Sequence, residues 1–154
     1  MSAVQVVEIG AASPELSAAA VLFDRYRSFY GKPSNLSLAQ HYLRERLQAG
    51  ESTVLLARLQ GQWVGFCQLY RGFSSISCAR TVILNDLYVD DGHRSAGVGR
   101  ALIDHASAFA RRVRAASVVL ETAETNVRAQ ALYESLGFER SRGFLGYSLC
   151  LCPV

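Results

Sequence analysis

The chain has 154 residues, half of them hydrophobic, enough for one sizeable core and too few for two comfortable domains. Its formal charge of +3 falls well short of what marks a nucleic-acid binder and suits an anionic small-molecule partner. The longest early apolar run, Ala18 to Phe23, is far shorter than the roughly 18 residues a membrane span needs, so an unprocessed cytoplasmic protein with no membrane partner is expected.

Val4 to Ile9 reads as a first strand. Ser13-Pro14-Glu15 then offers a cap, a proline at the first helical position and an early acid, predicting a helix to about Phe29 that Gly31-Lys32-Pro33 stops. Tyr26 and Tyr30 stand i, i+4 on one face of it. Ser37-Leu38-Ala39-Gln40 matches a capping box for a second helix to about Gln48, closed by Gly50. Thr53 to Arg58 and Trp63 to Tyr70 are strand-like and joined as a hairpin across Gln60-Gly61-Gln62. Arg71 to Ser75 reads as a loop, after which a long strand from about Arg80 to Val89 enters a glycine turn.

From Val98 the apolar positions Val98, Leu102, Ala106, Phe109 and Val113 recur at helical spacing. Arg111, Arg112 and Arg114 gather at that helix's far end, where cations suit its dipole. Ser117 to Thr122 is a buried-type strand, Asn126 caps the next helix and Gly137 closes it. Phe144 to Leu151 is predicted as the last strand, with Cys150 and Cys152 on one face as small packing residues. Cys67, Cys78, Cys150 and Cys152 form no C-x-x-C pair and are not spaced with His41, His93 and His105 as zinc ligands, so reduced thiols and no metal site are expected.

The segment that organises the chain is the strand, glycine turn and helix from Asn85 to Leu102. Gly97 and Gly99 let a ligand approach the main chain, and the helix that follows offers unpaired N–H groups and a positive dipole end, which together make a phosphate site. A Walker loop is excluded because no G-x-x-x-x-G-K-[ST] string occurs, and a dinucleotide fingerprint because Leu102 stands where its third glycine belongs. What remains is R-x-x-G-x-G, Arg94-Ser95-Ala96-Gly97-Val98-Gly99, which resembles the coenzyme A pyrophosphate loop of the GNAT N-acetyltransferases. Downstream, Asn126-Val127-Arg128-Ala129-Gln130-Ala131-Leu132-Tyr133-Glu134-Ser135-Leu136-Gly137-Phe138 resembles that family's second signature, N-x-x-A-x-x-L-Y-x-x-x-G-F. The resemblance covers most of the chain from Val54 onward, and the pair is far more specific than either half.

The resemblance implies a single α/β (mixed α+β) domain over residues 1–154, with a mostly antiparallel twisted sheet of about six to seven strands and about four flanking helices. The fourth and fifth strands, ending near Val89 and Thr122, are then expected to part and leave backbone groups for the pantetheine arm of acetyl-CoA. The implied cofactor set is Leu87, Tyr88 and Val89 on the parted edge, Arg94, Ser95, Ala96, Gly97, Val98, Gly99 and Arg100 on the pyrophosphate, and Asn126, Ala129 and Tyr133 on the arm. Tyr133 is the implied acid for the leaving thiolate, a phenol of reference pKa about 10 that stays protonated at neutral pH.

The implied acceptor is a small amine, a polyamine or a peptide or lysine amine, with Tyr26, Tyr30 and Asn85 at its site. There is a weaker resemblance to the polyamine-acetylating branch, some of whose members carry a glutamate where this chain has Asn85. An amide is no base, which leaves Asp86 or Glu121, directly or through water. A non-catalytic acyl-CoA-binding regulatory domain is the alternative, nucleic-acid binding through Arg111 to Arg114 is not expected, and a homodimer stays open.

Overall fold

Thr53, Val54, Leu55, Leu56 and Ala57 form an unbroken buried run, and such a strand needs cover on both faces. A computed structural model shows how it is covered. It describes residues 3–152, which fall into two compact units that divide between Glu121 and Thr122.

The first unit holds five strands: β1 (Gln5–Ile9), β2 (Ser52–Leu59), β3 (Gln62–Ser74), β4 (Ala79–Val89) and β5 (Ser117–Val119). They lie in that order in one sheet, antiparallel from β1 to β4, with β5 parallel to β4. Among the described residues the sheet therefore has five strands, not six to seven. Its helices are α1 (Leu16–Phe29), α2 (Leu36–Gln48) and α3 (Val98–Arg112).

Register and burial assign the faces. Phe66 on β3 stands opposite Leu56 and packs with Ile9, Leu22, Phe23, Leu43 and Val54 in one core cluster, so this face carries α1 and α2. The other face carries α3, whose Val98, Leu102, Ile103, Ala106, Phe109 and Ala110 are buried. The approach there is close: a Cβ on Gly65 would stand 2.7 Å from Val98 Cγ1, 3.0 Å from Leu102 Cδ1 and 3.1 Å from Ala57 Cβ. Only glycine lets the first turn of α3 sit this low on β3.

Several local expectations are corrected. Pro14 and Glu15 lie in a turn before α1, whose first residue is Leu16, and Ser13 Oγ accepts from the Gly10 amide instead of capping the helix. α2 is capped by Asn35, whose Oδ1 accepts from the Leu38 amide, leaving Ser37 inside the helix. β3 runs through the expected loop to Ser74, because its residues pair in register with β4 as far as Ala79. The fifth strand stops at Val119 instead of Thr122.

In the second unit, α4 (Val127–Ser135) starts at Asn126, whose Oδ1 accepts from the Ala129 amide, and ends before Gly137 at φ +89°. The expected strand from Phe144 to Leu151 is not formed. Its backbone pairs with no strand among the described residues, Phe144, Leu145, Tyr147, Leu149 and Leu151 are all exposed, and so are Cys150 and Cys152, which therefore do not pack as expected.

Candidate active site

The glycine turn begins where β4 ends. The Asp90 amide donates to Val64 O, a single 3₁₀ turn covers Asp91–His93, and Gly97 at φ +81°, ψ 6° caps α3. Ser95 is also left-handed at φ +67°. The first helical hydrogen bond runs from the Ala101 amide to Gly97 O, so the amides of Val98, Gly99 and Arg100 have no partner within the helix and point out of its positive end. Nothing lies within 4 Å of where a Gly97 Cβ would stand. Open space, spare donors and a dipole coincide there. The Ala96 amide makes a long turn bond to His93 O at 3.4 Å.

Arg94 is held by its own loop. Its Nε donates to Val89 O at 3.2 Å, a terminal nitrogen pairs with Asp91 at 2.7 Å, and the guanidinium lies 5.6 Å from the Phe29 ring centroid. Arg25 on α1 pairs in turn with Asp90 at 2.7 Å. The end of α1 thus braces the turn from two sides. Arg100 is exposed on the first turn of α3.

Beside the turn, β4 has a free edge. β5 pairs with it only through Thr81–Ser117, Val82–Val118 and Ile83–Val119, so from Leu84 to Val89, which includes Leu87 and Tyr88, that side of β4 has no strand partner among the described residues. Burial and the nearby Asp90 carboxylate raise the Tyr88 phenol above its ordinary pKa.

A bulge decides where Asp86 points. Gln68 pairs with Asp86 but Leu69 pairs with Leu84, so Asn85 is an extra residue on β4. Without it, the two-residue period would put Val82, Leu84 and Asp86 on the same face, under α3. With it, Leu84 and Val82 stay buried there while Asp86 turns to the α1–α2 face.

On that face Asp86 is 5% exposed. Its Oδ2 accepts from Gln68 Nε2 at 2.7 Å, its Oδ1 from Asn85 Nδ2 at 3.1 Å, and the Tyr26 hydroxyl also bonds to it. Burial pushes the carboxyl above the usual carboxylate range, and the three donors pull part of the way back. Such a group can hold a proton nearer neutral pH than an ordinary aspartate. On the same face Tyr70 and Tyr42 share a hydrogen bond of 2.6 Å, and burial followed by that bond raises the Tyr70 phenol.

The structure thus brings together Asp86, Asn85 and Tyr26 from the expected set. Tyr30 is half exposed, with its ring 5.0 Å from that of Tyr26. Glu121 is exposed just beyond β5 and is not among the groups bonded to Asp86. In the second unit, Tyr133 is buried at 9% exposure with its ring 5.8 Å from Phe138, while Asn126 and Ala129 form the α4 cap. Among the described residues no group of three His, Cys, Asp or Glu is placed to hold a metal, and no helix is long and apolar enough to cross a membrane.

The profile described as the Acetyltransferase (GNAT) family matches residues 19–138. The chain belongs to the GNAT acetyltransferase family. The Uncharacterized N-acetyltransferase YhfO of Bacillus subtilis (strain 168) is 40% identical to it over 139 residues, 90% of this chain and 93% of that protein. A solved structure described as a probable acetyltransferase superposes with a TM-score of 0.88 at 36% identity, covering 97% of this chain and 99% of that one. The ribosomal-protein-alanine N-acetyltransferase of Brucella melitensis shares the fold, with a TM-score of 0.79 at 22% identity over 96% of this chain and 100% of its own. The protein is accordingly an acetyl-CoA-dependent N-acetyltransferase, and acetyl-CoA is the donor general to GNAT enzymes.

Within this GNAT site, sequence reasoning missed Gln68, Tyr42 and Tyr70. Gln68 is fully buried, and its Oε1 has no hydrogen-bond partner among the described residues. The signal was present: a single amide inside Phe66-Cys67-Gln68-Leu69 is an uncompensated polar group in an apolar strand and calls for a buried partner.

Proposed function

We propose that this acetyltransferase moves the acetyl group of acetyl-CoA directly to a primary amine, with Asp86 as the base. The amides of Val98, Gly99 and Arg100 and the α3 dipole bind the pyrophosphate, and Arg94 acts mainly by holding the turn in shape. The free β4 edge at Leu87 and Val89 supplies main-chain groups for the amides of the pantetheine arm. The second signature assigns Asn126 to that arm and Tyr133 to the sulfur.

The step balances as follows. An alkyl amine of reference pKa about 10.4 is almost wholly protonated at pH 7 and must lose a proton before it can attack. That proton passes along the Tyr26 hydroxyl to Asp86, while Gln68 Oε1 accepts from the amine's N–H. The neutral nitrogen attacks the thioester carbonyl, the C–N bond forms and the C–S bond breaks. Sulfur leaves as the thiolate and takes up, by way of Tyr133, the second proton that the nitrogen must lose to become the amide, giving the amide and free coenzyme A, while the proton held on Asp86 returns to solvent.

The observation that carries this reading is the bulge at Asn85, which turns a buried carboxylate of raised pKa to the face that bears Tyr26, Gln68 and Tyr70. The relatives' names support an amine acceptor without restricting its class. Incubating the protein with acetyl-CoA and a panel of small amines, polyamines and peptide amines, while following free thiol, tests it. Release that depends on the acceptor is expected. A panel-wide absence of acceptor-dependent release, in a protein that binds acetyl-CoA, defeats it.

A further inference from the structure

The glycine turn is not the only place where the first unit gathers positive charge. At the opposite end of α3 a cavity of about 630 Å³ is lined by Arg71, Arg80, Arg112 and Arg114, with Cys78 at its rim. The 15 residues of α3 put about 22 Å between the two ends at 1.5 Å per residue, so the groove is separate from the phosphate turn.

We infer that this groove is a second anion site, which takes a compact phosphate-bearing ligand. The cations come from two sources. Arg71 on β3 and Arg80 on β4 share the α3 face with Val82, while Arg112 and Arg114 come from the last turn of α3 and the residues after it. The helix dipole accounts for cations at its own C-terminus, but not for Arg71 and Arg80, which the sheet brings to the same spot.

The cluster has little internal compensation. Arg112 pairs with Glu8 at 2.9 Å, whereas Arg71, Arg80 and Arg114 have no ion pair among the described residues. The main chain that carries these exposed arginines is hydrogen-bonded in place. The Ala116 amide donates to Arg80 O at 2.8 Å, the Arg114 amide to Arg111 O at 3.0 Å and the Cys78 amide to Ser75 O at 3.2 Å. Like charges held together on a fixed frame repel one another, and a multiply charged anion relieves that repulsion while matching the forked geometry of guanidinium. The ligand is compact because the arginines converge on one cavity. They form no stripe along the surface, and the chain's net charge of +3 is too small for a polynucleotide track.

The test is calorimetric titration of inorganic triphosphate into three proteins: the parent, Arg71→Ser/Arg80→Ser, and Gly97→Val. Saturable binding is expected in the parent, weakened about tenfold or more in the arginine variant and retained in Gly97→Val. No saturation in the parent, or saturation insensitive to the arginine pair, overturns the site. So does loss in Gly97→Val alone, which assigns the binding to the turn. A single-stranded oligonucleotide that outcompetes triphosphate with the same arginine dependence also overturns it, in favour of a nucleic-acid surface.

Cys78 gives a second readout that needs no arginine variant. Cys67 is buried, so in a Cys150→Ser/Cys152→Ser background Cys78 is the one exposed thiol. Triphosphate is expected to slow its alkylation by a maleimide, and an unchanged rate at saturating triphosphate counts against the groove.

Discussion

Gly65 is the point where the fold and the donor site meet. Gly65→Ala introduces a Cβ at 2.7 Å from Val98 Cγ1, closer than real contacts allow, and at 3.0 and 3.1 Å from Leu102 and Ala57. All three neighbours are buried at 1% exposure or less, so none can swing out to solvent. Overpacking of this kind costs about 1–3 kcal/mol, and alanine's smaller loss of chain entropy offsets about 0.4–1 kcal/mol of it. The difference spans about 0–2.6 kcal/mol and centres near about 1.3 kcal/mol, which predicts a melting temperature lower by about 3–5 °C for a domain of this size. Val98 is the first residue of α3, so relief of the clash lifts the turn that carries the spare amides, and the KM for acetyl-CoA should rise several-fold while kcat changes less. Adding Val98→Ala removes the nearest atom. The double variant should then recover at least about 0.5 kcal/mol relative to the sum of the singles. Thermal unfolding and acetyl-CoA titration of the four proteins measure this. If Gly65→Ala melts and binds acetyl-CoA like the parent, α3 is not seated on β3 as described.

Three further outcomes follow from the same geometry. Burial holds Asp86's folded pKa above its unfolded value, so ionising it in the fold opposes stability. Asp86→Asn should therefore raise the melting temperature at neutral pH, with the gain fading as pH falls through the folded pKa towards the unfolded one; a lower melting temperature at pH 7 contradicts this. Tyr133→Phe should lower kcat by about 10²-fold with little change in the KM for acetyl-CoA, and a parent-like kcat in steady-state assays removes Tyr133 as the acid. Gly97→Val places a branched residue at φ +81° in open space, so strain of about 1–2 kcal/mol is expected without a clash. Calorimetry should show acetyl-CoA binding weakened more than thermal unfolding shows stability reduced.

What the sequence made legible was whatever is local. The Asn126 cap, the Gly137 stop and the strand–turn–helix around Gly97 depend on a few adjacent residues, and the structure has them where their chemistry places them. The Asn35 cap of α2 is not legible because Ser37 and Gln40 also satisfy a capping pattern, and only the bond from the Leu38 amide to Asn35 Oδ1 separates the two. β3 was cut short at Tyr70 because Arg71, Gly72 and Ser74 look like a loop by themselves, yet pairing with β4 overrides that preference. The alternation from Phe144 to Leu151 predicts a strand, but a strand exists only with a partner, and this segment pairs with none among the described residues. The role of Asp86 was half legible. Its chemistry is in the sequence, but the face it occupies depends on a bulge, and a bulge is a property of two strands together.

Whether Asp86 takes the substrate's proton is decided most directly by the pH dependence of kcat/KM for an amine acceptor, measured for the parent, Gln68→Leu and Asp86→Asn. The base must be ionised, so the parent's rate should fall as pH drops through a value above the ordinary carboxylate range. Gln68→Leu removes a donor that favours the ionised form, moving that limb to higher pH without touching the amine's own ionisation. Asp86→Asn should abolish the limb and lower the rate by about 10²–10⁴-fold. An acid limb that stays at the same pH in Gln68→Leu, or a limb at the parent's pH in Asp86→Asn in place of one set by the amine's own ionisation, contradicts the account.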